Sequence, residues 1–144
     1  MVDYNITKLN ISNKGLTKLT KLPDDIDKYT NLKILYCREN KITSLDNLPP
    51  TLKELYCYSN EITSLDNLPP TLKELKCWKN QITSLDNLPP YLEVLYCWNN
   101  NITSLDNLPP KLKLLYCDDN PLKYDLKSTL ENIRNYNASR ILSS

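Results

Sequence analysis

The chain has 144 residues, 40% of them hydrophobic, and its 18 basic and 17 acidic side chains leave a formal charge of +1. That balance fits one folded domain and shows no basic excess of the kind that nucleic-acid or acidic-lipid partners require. His and Phe are absent and Gly occurs once, at Gly15, so the commonest general base and metal ligand is missing and no Gly-rich loop can cradle a phosphate.

Taken from the start, Met1 to Asn5 carry no basic run followed by an apolar one, and no apolar stretch approaches the length of a bilayer span. No secretory signal or membrane segment is expected, and the chain reads as cytoplasmic. Asn5 and Asn101 begin Asn-x-Thr sites, which count as glycosylation acceptors only in a secreted protein. Residues 1–31 form a long, loose first unit. Its Ile6-x-x-Leu9-x-Ile11 spacing predicts a short strand, and Lys14 stands where later units carry Asn. The spacing of Leu22, Ile26, Tyr29 and Leu32 predicts a short helix on the outer side.

From Leu32 a strict period takes over. Cys37, Cys57, Cys77, Cys97 and Cys117 recur every 20 residues, as do Asn40, Asn60, Asn80, Asn100 and Asn120. The phrase Ile-Thr-Ser-Leu-Asp-Asn-Leu-Pro-Pro occurs unchanged from Ile42, Ile62, Ile82 and Ile102. Units opening at Leu32, Leu52, Leu72, Leu92 and Leu112 read L-x-x-L-x-C-x-x-N-x-[IL], the leucine-rich-repeat pattern with Cys in its third apolar slot. Only at the fifth, with Pro121-Leu122, is the last apolar position Leu.

Alternation around Leu35, Leu55, Leu75, Leu95 and Leu115 predicts a short strand per unit, Leu and Cys inward. One unit cannot cover its own apolar face, so the units stack into a parallel sheet with strands ~4.8 Å apart. The inward Asn is expected to bond backbone groups freed where the chain leaves the sheet. The Leu-Pro-Pro steps predict an extended, polyproline-like convex side. The expected fold class is a leucine-rich-repeat solenoid, an α/β-class horseshoe, as one domain over 1–144 with five repeats across 32–122. In the C-terminal part, 123–144, Ser128-Thr-Leu-Glu131 is a capping-box pattern, and Leu126, Leu130 and Ile133 recur at helical spacing. They predict a capping helix over roughly 125–138 that covers the open end of the core.

At Leu-Pro-Pro-x-Leu-x-x-Leu the repeats resemble the 20-residue leucine-rich repeats of secreted effectors of pathogenic bacteria. In their Leu-Tyr-Cys-x-x-Asn and Ser-Leu-Asp-Asn-Leu-Pro-Pro phrases they are similar to leucine-rich-repeat proteins of amoebal giant viruses. The likeness covers roughly 32–122, and the Asn-Ile-Arg-Asn-Tyr-Asn segment at 132–137 shares it. It implies a right-handed curved solenoid that recognises proteins on its concave face, in the host cytoplasm if the protein is viral. Some bacterial relatives carry a ubiquitin-ligase domain after the repeats. Only a short segment follows the repeats in this sequence, and that activity is not carried over.

Within the chain, variation is concentrated on the outward strand positions. Between Leu and Cys stand Tyr36, Tyr56, Lys76, Tyr96 and Tyr116; just after Cys stand Arg38, Tyr58, Trp78, Trp98 and Asp118; next come Glu39, Ser59, Lys79, Asn99 and Asp119. All three positions are expected to look out from the concave sheet, which gathers seven of the 12 Tyr and Trp residues on one surface. A contiguous aromatic patch marks an interaction site more often than not, and Tyr and Trp dominate interface hot spots. The competing reading is that the rings only pack on one another across strands.

The expected function is therefore a non-enzymatic protein-binding module, a monomer or weak homodimer. Its partner-binding residues are Tyr36, Arg38, Tyr56, Tyr58, Lys76, Trp78, Lys79, Tyr96, Trp98, Asn99 and Tyr116. A carbohydrate-binding use of the same surface is the alternative, with Asn99 and Glu61 directing hydrogen bonds. No cofactor, metal, nucleic acid or membrane is expected. Five thiols in a row also raise a soft-metal or redox reading. With no C-x-x-C pair and an odd count, the cysteines read as small inward apolar groups.

Overall fold

The computed structural model describes residues 3–19, 26–122 and 130–143. Six three-residue strands, β1 (Lys8–Asn10), β2 (Ile34–Tyr36), β3 (Glu54–Tyr56), β4 (Glu74–Lys76), β5 (Val94–Tyr96) and β6 (Leu114–Tyr116), form one parallel sheet in chain order. The register follows the repeat: Leu35 pairs with Leu55, Leu55 with Leu75, Leu75 with Leu95 and Leu95 with Leu115. The loose first unit joins in register, Lys8 opposite Ile34 and Asn10 opposite Tyr36. Each central Leu and the following Cys are buried. They stack with Ile42, Ile62, Ile82 and Ile102 and with Leu45, Leu65, Leu85 and Leu105 into one continuous core.

Between strands the chain forms no helix in the 20-residue units. It bends twice per unit, once at Asp-Asn, where Asn47, Asn67 and Asn87 take φ of 62–65°, and once where the Leu52 N–H donates to the Pro49 carbonyl and its equivalents do likewise. Asn tolerates the left-handed region better than most residues, and Pro fixes φ for the second bend. The longer first unit has room for a 3₁₀ turn, Ile26–Lys28, as its apolar spacing suggests, with Ile26 and Tyr29 buried beneath it. Leu22 of that pattern lies outside the described residues.

The buried amides bind one unit to the next. Asn60 donates from Nδ2 to the carbonyls of Cys37 and Cys57, both at 3.0 Å, and its Oδ1 accepts the Ile42 N–H at 3.0 Å. Asn80, Asn100 and Asn120 repeat this pattern. Asn40 does the same against the first unit: its Oδ1 accepts the N–H groups of Lys14 and Leu16, which flank Gly15 at φ 65°.

At the far end the helix α1 (Leu130–Ser143) covers the last unit, with Ile133 fully buried and Leu130 packed on the core. It extends beyond the 138 expected from the sequence, while Leu126, Ser128 and the predicted start near 125 lie outside the described residues. Arg134 Nη2 donates to the Leu112 carbonyl at 2.7 Å and reaches Pro110 O at 3.5 Å. Earlier in the solenoid, at two junctions, the equivalent carbonyls are taken by the next unit's Thr; Tyr91 and Lys111 stand at that position in the later units. Thr51 Oγ1 donates to Thr30 and Leu32, and Thr71 Oγ1 to Pro50 and Leu52. The helix supplies through Arg134 what Thr51 and Thr71 supply earlier in the array.

Candidate functional site: the open face of the sheet

Side chains alternate across a strand, so the residues on either side of each buried Leu face solvent. Parallel pairing with equal register then lines up equivalent positions of successive units. Two ladders result.

The first runs Asn10, Tyr36, Tyr56, Lys76, Tyr96, Tyr116, with Lys8 reaching across from the neighbouring position. Lys8 Nζ lies 5.0 Å from the Tyr36 ring centroid, and Tyr36 stacks on Tyr56 at 4.5 Å and 14°. Lys76 Nζ sits between Tyr56 at 4.9 Å and Tyr96 at 5.2 Å, and Tyr96 stacks on Tyr116 at 4.7 Å. The second ladder runs Arg38, Tyr58, Trp78, Trp98. Tyr58 stacks on Trp78 at 3.9 Å and 12°, and Trp78 on Trp98 at 5.6 Å and 11°. The Arg38 guanidinium covers Tyr58 at 5.6 Å, and Lys79 Nζ lies 5.5 Å from Trp98. Trp78 and Tyr96, 6.2 Å apart, join the two rows.

The rings are therefore neither free nor buried. All are half-exposed except Tyr116, which ends its row at 44% exposure. The expectation of an openly exposed aromatic patch and that of cross-strand packing each hold in part: rings pack face to face along the solenoid and leave their edges in solvent. Stacking and cation–π contacts of this kind are worth roughly 0.5–1.5 and 0.5–1 kcal/mol each, which fixes the surface before any partner arrives.

Lys79 and Asn99, expected to look out with the rest, are exposed and stand at a turn rather than on a strand. Glu39, Ser59, Lys79, Asn99 and Asp119 all take φ of 53–55° just beyond the strands, because the chain must turn inward there to bring the next residue, the ladder Asn, beneath the sheet. Lys79 still reaches Trp98 from the edge. The Asn99 side chain makes no hydrogen bond to either ladder among the described residues, and Glu61 lies exposed past the turn.

The outward position before each central Leu was missed in the sequence, although period-two alternation makes it as outward as the position after it. It holds Ile34, Glu54, Glu74, Val94 and Leu114. The Tyr56 hydroxyl lies 2.9 Å from Glu54 Oε2 and 3.1 Å from Glu74 Oε1, and Lys76 Nζ pairs with Glu74 at 2.9 Å. Burial, the hydrogen bond to Glu54 and the two negative charges together push the Tyr56 phenol up, which keeps it a donor.

Beneath the sheet all five cysteines are free thiols and buried. Burial pushes Cys37 up to about 12 and Cys117 up to about 11, and holds Cys57, Cys77 and Cys97 well above their ordinary value. Nucleophilic chemistry needs the thiolate, so these groups serve as core. Among the described residues no cluster of three or more His, Cys, Asp or Glu side chains is arranged to hold a metal ion, and no helix is long and apolar enough to cross a membrane.

Residues 70–110 match the family model for leucine-rich repeats in two copies. Nothing among the curated proteins matches the chain. Among solved structures, the chain is similar to the leucine-rich-repeat domain of a Shigella effector, with 33% identity and a TM-score of 0.74 over 87% of this chain and 54% of that one. It is also similar to YopM from Yersinia enterocolitica (31% identity, TM-score 0.59, 84% of this chain and 31% of that one). A functional domain of InlJ from Listeria monocytogenes, which includes a cysteine ladder, matches at 33% identity and a TM-score of 0.61, over 90% of this chain and 33% of that one. The chain thus spans about half of the first of these relatives and about a third of the other two. With six parallel strands in register, buried Asn residues recurring from unit to unit and these structural likenesses, the fold is that of a leucine-rich-repeat solenoid.

Proposed function

We propose that the chain is a non-enzymatic binding module that docks a protein partner on the open face of its sheet. The observation that carries this is the pair of aromatic and cationic ladders. Stacking already restrains their side chains, so a partner meets a preorganised surface and loses little side-chain entropy on docking. Tyr, Trp and Arg at the centre of such a face are the usual energetic anchors of protein interfaces. The leucine-rich-repeat fold is a general protein-interaction scaffold. A host protein met in the cytoplasm is the partner proposed. The likeness to an effector domain supports a host protein as that partner.

Sugar binding draws less support from the geometry. A sugar ring packs on an open aromatic face, and Tyr56, Tyr58, Trp78 and Tyr96 each have both faces covered by a neighbouring ring or cation. The test is affinity capture from host lysate with the intact chain and with Trp78→Ala/Trp98→Ala, followed by binding of the identified protein in purified form. We expect the double variant to weaken that purified complex roughly a hundredfold, since paired hot-spot residues carry a few kcal/mol. Equal affinity for both chains places the docking site elsewhere.

A further inference from the structure

Between the two ladders, over β1 to β4, the open face dips into a shallow cleft of about 420 Å³. Its charged lining residues are Lys8, Arg38 and Lys76, with no carboxylate among them, and its walls are the rings of the ladders. The carboxylates nearby are engaged. Glu74 pairs with Lys76, Glu54 and Glu74 face the Tyr56 hydroxyl, and Glu39 pairs with Arg38 at 2.8 Å. These pairs are part-exposed, and exposed ion pairs are weak, so an incoming anion can exchange for one of them readily. At the other end of the face the charge reverses, with Asp118 and Asp119 exposed beyond β6.

The stacking adds an independent reason to expect an anion. Where rings cover one another's faces, what remains in solvent is the edge, the positive end of the ring quadrupole. The Tyr58 hydroxyl and the indole N–H groups of Trp78 and Trp98 lie on such edges and make no hydrogen bond among the described residues. Cations, ring edges and unpaired donors all call for acceptors.

We infer that the partner segment seated in this cleft is an acidic stretch of polypeptide, in extended form, with its carboxylates toward Lys8, Arg38 and Lys76. This rests on the reading that the open face binds protein. Four strands at ~4.8 Å spacing give the cleft a length of roughly 14 Å, which an extended chain crosses in about four residues. Alternate residues of such a chain point the same way, so two carboxylates reach the floor. A single-stranded nucleic acid is also anionic, but it is held by bases stacking on open ring faces, and the ladders leave those faces covered.

Trp78 and Trp98 are the only tryptophans in the chain, so intrinsic fluorescence reports on this face alone. The experiment titrates the full chain with a synthetic peptide repeating Glu-Leu-Glu-Ser, with its Lys and Gln counterparts, and with oligothymidylate. We expect the Glu peptide to change the emission, to bind less tightly as salt is added, and to lose roughly tenfold in affinity or more with Arg38→Gln/Lys76→Gln. Lys8→Gln, on the outermost strand, is the second variant if the first alters the circular dichroism; Asp118→Asn/Asp119→Asn should leave affinity unchanged or raise it. Binding of the Lys or Gln peptide in preference to the Glu peptide overturns the acidic assignment while leaving the open face as the docking site. Binding of oligothymidylate without the Glu peptide overturns it in favour of nucleic acid. No response to any peptide overturns the acidic assignment, while the purified-partner comparison of the intact chain with Trp78→Ala/Trp98→Ala decides the open-face reading separately.

Discussion

Replacing Asn80 by Ala leaves the buried Ile62 N–H without its partner and takes one of two amide donors from each of the Cys57 and Cys77 carbonyls, which Asn60 and Asn100 still bond. An unsatisfied buried polar group costs about 1–3 kcal/mol, so Asn80→Ala should lower unfolding stability by about that much in a urea titration. Asn120 makes the same bonds in a part-exposed setting at the end of the array, where water can replace them, and Asn120→Ala should cost less. Equal losses would contradict this account of the ladder. The thiols give a second residue-scale prediction. Their folded pKa values lie above the ordinary 9.0, at about 12 for Cys37 and about 11 for Cys117, so above pH ~9 the unfolded chain releases protons that the folded chain keeps. Stability is then fully present below that pH and is lost as pH rises toward the folded values, each thiol contributing up to about 1.4 kcal/mol per pH unit. Urea midpoints measured from pH 8 to 10 should fall steeply, and Cys77→Ala should fall less steeply than the parent whatever its starting stability. Parallel slopes would mean that Cys77 does ionise in the folded chain.

Among the elements, the strands and their register could be read from the sequence because one letter pattern recurs at a fixed period, and each recurrence constrains the others. The closing helix was readable only in outline, since α1 occurs once and has no second copy to set its bounds; Leu130 and Ile133 identified its buried side. The role of Arg134 was not readable at all. It depends on the helix placing a guanidinium where Thr51 and Thr71 place a hydroxyl within the array, a coincidence of positions that has no sequence spacing. Arg134→Ala should release the Leu112 carbonyl and cost about 1–2 kcal/mol, felt first at the C-terminal end. Hydrogen exchange should quicken in α1 and β6 while the amides of β2 to β4 stay protected, because each unit of a solenoid touches only its neighbours. Uniformly faster exchange would show that the helix stabilises the whole array cooperatively.

For the molecule as a whole, the sequence placed the seven aromatics correctly on one surface but did not reveal which part of each ring is offered. That depends on stacking across strands, which appears once Tyr58, Trp78 and Trp98 are set side by side. The left-handed turn at Asn99, shared by every unit, is invisible in residue types as varied as Glu, Ser, Lys and Asn. The part played by Glu54 and Glu74 depends on the Tyr56 hydroxyl reaching both across neighbouring strands, which no spacing in the sequence marks. The viral likeness rests on the wording of the repeats, while the structural matches are bacterial, and both are consistent with a binding surface on the sheet. The most direct test of that claim is photo-crosslinking in host extract with benzoylphenylalanine in place of Tyr36 or Tyr116, on the open face, or Tyr91, 61% exposed in the turn before β5. The account predicts that one host polypeptide is crosslinked from Tyr36 and Tyr116 and not from Tyr91. Crosslinking of the same polypeptide from Tyr91 alone would contradict it and move the docking site off the sheet.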